Sequence, residues 1–228
     1  MKVSVGERAR DARQAAQALA ASSSDSRSHA LGLIAKAMLK NRERIIEANK
    51  HDLVAARRMV NSGKLTSPLL TRLDLSGEKF DSIISMINSI IGQPEPLEQT
   101  EIATELDDGL TLFKVSVPIG VIGVIFESRP DALVQIACLC LKSGNAVLLK
   151  GGREAEKTNR VLAEVLLEAT SSANEIPPRW LGLLTDREQV NALLDECENV
   201  DLIIPRGGNE FVQHIMENTN IPVMGHAD

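Results

Sequence analysis

Aromatic side chains are nearly missing from this sequence. Of 228 residues, 2% are aromatic, with no Tyr and one Trp, Trp180. The core must therefore be aliphatic, and the stacking platform that single-stranded nucleic acid uses is missing. Basic charge is not in excess either: the net charge is −6, which argues against sequence-independent binding to DNA or to anionic membranes. The chain contains no apolar run as long as a membrane span. Cysteine is scarce and odd in number: Cys138, Cys140 and Cys197 have no CxxC spacing. A disulfide framework is not expected, and a reducing, cytoplasmic setting fits. The four histidines are scattered, so no zinc pattern emerges and no metal is expected. What is present is 43% hydrophobic and 25% charged residues, the balance of a globular protein with a sizeable core.

Periodicity divides the chain. Residues 1 to about 92 read as helices, with apolar stripes such as Ala9, Ala12, Ala16 and Leu19, and later Phe80, Ile83, Ile87 and Ile90. Arginines and serines near the start have some presequence character, but Glu7 and Asp11 favour an ordinary amphipathic first helix. Asn41 is placed to cap a third helix, and Ser67-Pro68 to start another. After the connector Gly92–Pro96, two extended arms flank Asp107-Asp108-Gly109, a hairpin pattern. From Pro118 apolar strands alternate with helices. Strands are expected at 119–126, 146–150, 180–184 and 201–204, with a short one at 221–223. Helices are expected from about 130 to 142, then at 155–172, 186–197 and 209–218. Such alternation implies a doubly wound parallel α/β sheet whose ligand site lies at the carboxyl ends of the strands.

Those ends carry the candidate chemistry. Lys150-Gly151-Gly152 offers a cation and two residues free for close approach or positive φ; it is also readable as a tight turn with a solvated lysine. Pro205-Arg206-Gly207-Gly208 offers backbone N–H groups to an anion, or forms an ordinary strand-to-helix turn; the GxGxxG fingerprint is missing. Arg129, in Glu127-Ser128-Arg129-Pro130, suits a phosphate or carboxylate, or else a structural pair with Glu127. His226 reads as a general base or as a surface histidine. The cysteines lie in helical patterns and read as core or structural thiols.

Four blocks in order, Pro118–Pro130, Cys140–Gly152, Asp201–Gly208 and Pro222–His226, closely resemble the γ-glutamyl phosphate reductases of the aldehyde dehydrogenase superfamily. Weaker matches are Glu47-Ala48-Asn49-Lys50-His51-Asp52 and Arg72-Leu73-Asp74-Leu75. The resemblance implies an aldehyde-dehydrogenase-like fold: residues 1–97 as a helical part of the cofactor-binding domain, 98–117 as a β-hairpin oligomerisation arm, and 118–228 as a Rossmann-like dinucleotide-binding domain. It implies NADPH-dependent reduction of L-glutamyl 5-phosphate to L-glutamate 5-semialdehyde and phosphate, in proline biosynthesis. The reaction runs through a cysteine thiolate that attacks the acyl phosphate. Lys150 then falls at a cofactor-ribose position, with Gly151, Gly152 and Arg153 beside it, Gly207 and Gly208 at the pyrophosphate, and Arg129 and Arg206 toward substrate phosphate. Ser128 falls where many relatives carry an oxyanion-stabilising asparagine, and His226 near the superfamily's general-base glutamate; both depart from the pattern. None of the three cysteines occupies the nucleophile's place, and the sequence ends at Asp228 before the segment that carries it. Taken alone, the chain is thus expected to lack the catalytic domain and to be inactive. A homo-oligomer is implied, with glutamate 5-kinase a candidate partner. The alternatives are a non-catalytic nucleotide-binding partner or another superfamily member.

Overall fold

The computed structural model describes residues 4–127 and 129–225. Helix α1 (Val5–Ala20) starts at a capping box: Ser4 Oγ accepts from the Glu7 N–H at 3.2 Å while the Ser4 N–H donates to Glu7 Oε2 at 2.7 Å. Its alanine stripe lets it lie close against the sheet. Helices α2 (Ser24–Lys40), α3 (Arg42–Asn61), α4 (Ser67–Leu73) and α5 (Glu78–Ile91) follow. Pro68 sits in the first turn of α4, where its missing N–H costs nothing. Asn41 does stand at the start of α3, but without a side-chain cap: its Nδ2 donates backward to the Ala37 carbonyl.

Strands β1 (Thr100–Asp107) and β2 (Leu110–Val115) form an antiparallel hairpin about Asp108-Gly109, with Gly109 at φ 77°. Strand β2 ends at Val115, two residues before the end of the arm expected over 98–117. The parallel part comprises β3 (Val121–Ile125), α6 (Pro130–Lys142), β4 (Ala146–Lys150), a 3-10 turn at Arg153–Ala155, α7 (Glu156–Thr170), β5 (Leu181–Leu184), α8 (Arg187–Leu194), β6 (Leu202–Pro205) and α9 (Asn209–Glu217). Strand order is β5-β4-β3-β6. The chain moves outward from β3 to β5 and then returns to the other side of β3, so the order reverses between β3 and β6. That reversal opens a crevice at the strand ends.

Side-chain alternation along β3 places helices on both faces. Gly123 faces Leu193 of α8, whereas Ile122 and Val124 share a wall with Ala132 and Ile136 of α6. Gly120 enters β3 at φ 123°, and a Cβ there would lie 2.1 Å from Asp201 Oδ2. That carboxylate accepts from the Val121 N–H at 2.8 Å and from Arg13 at 2.7 Å, tying α1 and the start of β6 to the start of β3. Trp180 lies just outside β5, fully buried, its Nε1–H donating to Thr170 Oγ1 at 2.9 Å. Helix α8 ends at Leu194, earlier than the expected 197, so Cys197 lies in an exposed turn and not in the core. The expected last strand is reduced to a single parallel bridge between Val223 and Ile203. Among the described residues, no helix is long and apolar enough to cross a membrane.

Candidate functional site

Register builds the site. In the parallel sheet Ile125 pairs with Lys150 on one side and Pro205 on the other. Three segments singled out from the sequence therefore leave the sheet in one row, although they lie far apart in the chain. They open on a cleft of about 630 Å³ walled by Phe126, Glu127, Lys150, Arg153 and Arg206, with Leu65 beside α4 and Ile215 of α9 adding apolar surface. A second cleft of about 600 Å³ adjoins it, bounded by Arg129, Gly207 and α6; Glu127 and Arg206 border both. Volumes of this size suit a small-molecule ligand.

Lys150 is half-buried. Loss of water around its ammonium lowers its pKa below the usual lysine value, with Arg153 acting in the same direction and Glu154 and Asp186 opposing. An anion brought to it would favour the charged form. Arg153 and Arg206 add two guanidiniums to the same cleft. Gly152 also reaches the wall, whereas Gly151 lies behind it. Neither glycine takes positive φ. Close approach is what they provide: a Cβ on Gly151 would sit 2.2 Å from Asn159 Nδ2 and 3.2 Å from the Phe126 ring. Gly207 has the same character, because a Cβ there would come 2.8 Å from Phe211 and 3.5 Å from Glu127 Oε1. Gly208 stands at the cap position of α9.

Arg129 does not pair with Glu127. Its guanidinium meets Asp131 Oδ2 at 2.9 Å, a hydrogen bond that raises its pKa. The two residues are two apart in sequence, and the start of α6 turns Asp131 back toward Arg129. Ser128 and His226, the two departures from the family pattern, lie outside the described residues.

The cysteines supply no activated nucleophile among the described residues. Cys140 reaches the floor of the second cleft, but burial pushes its thiol up to about 12, so it stays protonated at neutral pH. Burial raises Cys138 further, with Cys140 adding to the effect. Cys197 is exposed and borders neither cleft. No group of three His, Cys, Asp or Glu side chains is placed to hold a metal among the described residues.

Sequence reasoning missed the clamp behind the site. Asp52 Oδ2 accepts from both the N–H and the hydroxyl of Thr158, at 2.8 and 2.7 Å. Asn49 Nδ2 donates to the Leu73 carbonyl, and its Oδ1 accepts from the Leu75 N–H, at 2.8 and 2.9 Å. Both belong to the Glu47–Asp52 block, where an asparagine and an aspartate three residues apart, on one face of a helix, were the available signal. The clamp fixes the start of α7, one turn beyond Lys150, against α3 and the end of α4.

Known proteins match both the sequence and the fold. The model of the aldehyde dehydrogenase family matches residues 2–224. A γ-glutamyl phosphate reductase from Ruminiclostridium cellulolyticum is 54% identical over 210 residues, 92% of this chain and 48% of that protein. The crystal structure of γ-glutamyl phosphate reductase from Saccharomyces cerevisiae superposes with a TM-score of 0.90 at 40% identity, covering all of this chain and 57% of that one. An engineered glycolyl-CoA reductase with bound NADP⁺ shares the fold, at a TM-score of 0.70 and 15% identity, covering 97% of this chain and 46% of that one. The chain spans about half the length of the curated relatives it matches.

Proposed function

The chain belongs to the aldehyde dehydrogenase family, and on that premise we propose that it is the dinucleotide-binding half of a γ-glutamyl phosphate reductase, an NADPH-dependent oxidoreductase of proline biosynthesis acting on L-glutamyl 5-phosphate. The observation that carries this reading is the row of strand ends at Ile125, Lys150 and Pro205, which gathers Lys150, Arg153 and Arg206 around one cleft. Its apolar walls fit an adenine ring, and its cations fit phosphates. The two glycine turns permit the backbone to approach them closely. NADPH, when bound, supplies the reducing equivalent.

Each residue has a definable task. The Lys150 ammonium donates to a ribose hydroxyl or phosphate oxygen, and Arg153 beside it faces the 2′-phosphate that distinguishes NADPH from NADH. Gly151 and Gly152 hold the turn close to the ligand. Gly207 and Gly208 present the start of α9 to the pyrophosphate. Arg206 and Arg129 border the second cleft, where the acyl phosphate is oriented. Ser128 and His226 are the candidates for oxyanion stabilisation and base catalysis. The nucleophile lies outside residues 1–228. We assign residues 1–97 and 118–228 to the cofactor-binding unit, and residues 98–117 to an arm that pairs with a second copy. Support for the arm comes from Leu112 and Phe113, 59% and 58% exposed on a hairpin that has no other strand beside it among the described residues.

Two measurements test this. Calorimetric titration of the 228-residue chain with NADP⁺ and NAD⁺ should give binding, tighter for NADP⁺. A phosphate-dependent assay should then follow NADPH formation from glutamate 5-semialdehyde, with this chain run beside a protein that joins it to the cysteine-bearing segment. NADPH formation by the joined protein alone fits the proposal. Binding without turnover in either would move the function to a nucleotide-binding partner, and no binding would refute the site.

A further inference from the structure

Helix α7 begins just past the Lys150 turn, and its first turn carries two buried polar residues, Thr158 and Asn159, 0% and 2% exposed. Thr158 is held by Asp52 through both its backbone N–H and its hydroxyl, so the helix start is anchored to α3. Asn159, the next residue, lies against the turn: its Nδ2 occupies the space that a side chain on Gly151 would need. Gly151 has no positive φ, so it is the amide behind it, and the Phe126 ring, that require a glycine there. Yet the Asn159 amide is not satisfied. Its Oδ1 is buried and has no hydrogen-bond partner. A buried acceptor left unmet costs stability that an apolar residue of similar size would not cost. The unmet acceptor belongs to the side chain that lies directly behind the Lys150–Arg153 turn.

We propose that Asn159 is a positioning residue for the Lys150–Arg153 turn, its Oδ1 accepting a backbone N–H of the turn when a dinucleotide is bound. The inference rests on reading the first cleft as a dinucleotide site. Two consecutive glycines let the turn's peptides rotate at little cost. The clamp on Thr158 keeps α7 still, so the turn moves to the amide rather than the helix to the turn. Ligand binding then satisfies an acceptor that the free protein leaves unmet, and affinity is coupled to the conformation of the turn.

The test compares the native 228-residue chain with Asn159→Leu by three readouts: thermal unfolding without ligand, calorimetric titration with NADP⁺, and amide hydrogen exchange at residues 151–153 with and without NADP⁺. Asn159→Leu is expected to unfold at the same or a higher temperature. It should bind NADP⁺ about five- to tenfold more weakly, the worth of one net hydrogen bond, and lose the ligand-induced protection at 151–153. A purely structural asparagine would give the opposite pair, lower stability with unchanged affinity. Affinity within about twofold of native, or equal protection in the two proteins, overturns the proposal while leaving the dinucleotide site standing. If the native chain binds no NADP⁺, the site reading fails first and this inference with it. Should Asn159→Leu not fold, Asn159→Ala replaces it under the same criteria: weaker NADP⁺ binding with loss of protection at 151–153 supports the role, and native-like affinity or protection refutes it.

Discussion

Strand β3 and strand β2 of the hairpin both carry apolar side chains and end in opposite environments. Val121–Ile125 is buried at every position, paired on both edges and covered on both faces. Leu110–Val115 also carries apolar side chains, Leu110, Leu112, Phe113 and Val115, beside Thr111 and Lys114, yet every residue of both hairpin strands is exposed. Apolar content thus marks both as strands without saying which is core. Burial is conferred by neighbours, and among the described residues no strand beyond its own partner pairs with the hairpin. A lone two-stranded ribbon is marginal in water, and the proposed pairing with a second copy would cover its apolar side chains, whereas those of β3 carry the fold.

The contrast is sharpest when a charge is introduced. Val124→Asp should abolish folding, because an unpaired carboxylate in the sheet costs more than about 4 kcal/mol; soluble yield and urea unfolding would register it. Leu112→Asp should shift unfolding by less than about 0.5 kcal/mol while reducing the assembled fraction in sedimentation. Comparable unfolding by both substitutions would erase the distinction.

A smaller effect belongs to the clamp behind the strand ends. Asp52→Ala leaves the Thr158 N–H and hydroxyl without their acceptor and should cost about 2–3 kcal/mol in denaturant unfolding. The loss should not appear for a hairpin substitution such as Thr111→Ala.

Next comes the cleft. Lys150→Ala should weaken NADP⁺ binding about tenfold, or about 1.4 kcal/mol, with unfolding little changed. Its pH dependence has a defined sign. Desolvation lowers the folded-state pKa of Lys150 below the ordinary lysine value, so the folded protein releases this proton before the unfolded chain does. Folding stability from this group therefore rises with pH between the two values. Anion binding runs the other way, present below the folded pKa and fading as pH climbs through it. Lys150→Arg should remove that fade, since arginine keeps its charge; affinity for NADP⁺ measured from pH 7 to 10 would detect it.

The mildest perturbation is chemical. An alkylating reagent should modify Cys197 in the native protein and reach Cys138 and Cys140 only on unfolding, giving one fast thiol and two slow ones. Rapid loss of three thiols would contradict the burial that sets β3 and α6 apart from the surface.

Much of this was legible before any coordinates. Ser67-Pro68 and Asp108-Gly109 mark a helix start and a turn through local chemistry, and the structure has both in place. The glycine turns after β4 and β6 stand at the carboxyl ends of the parallel strands, the edge that the alternation of strands and helices implies. The misses have a common origin. Arg129 was offered Glu127 and takes Asp131, since the chain geometry at the start of α6 decides which carboxylate is near. Helix 186–197 was drawn too long because its periodic pattern continues past Leu194, where the chain leaves the helix and exposes Cys197.

The sequence by itself determined the order of strands and helices, the turns between them and the residues at the strand ends, because periodicity, caps and glycine act within a few positions. Only the tertiary structure decided what those turns touch. Asp52 meets Thr158 across 106 residues, Asn159 takes the space behind Gly151, and the hairpin's apolar face stays open. Each of these depends on how separate segments register and pack, and such contacts leave no periodic trace along the chain.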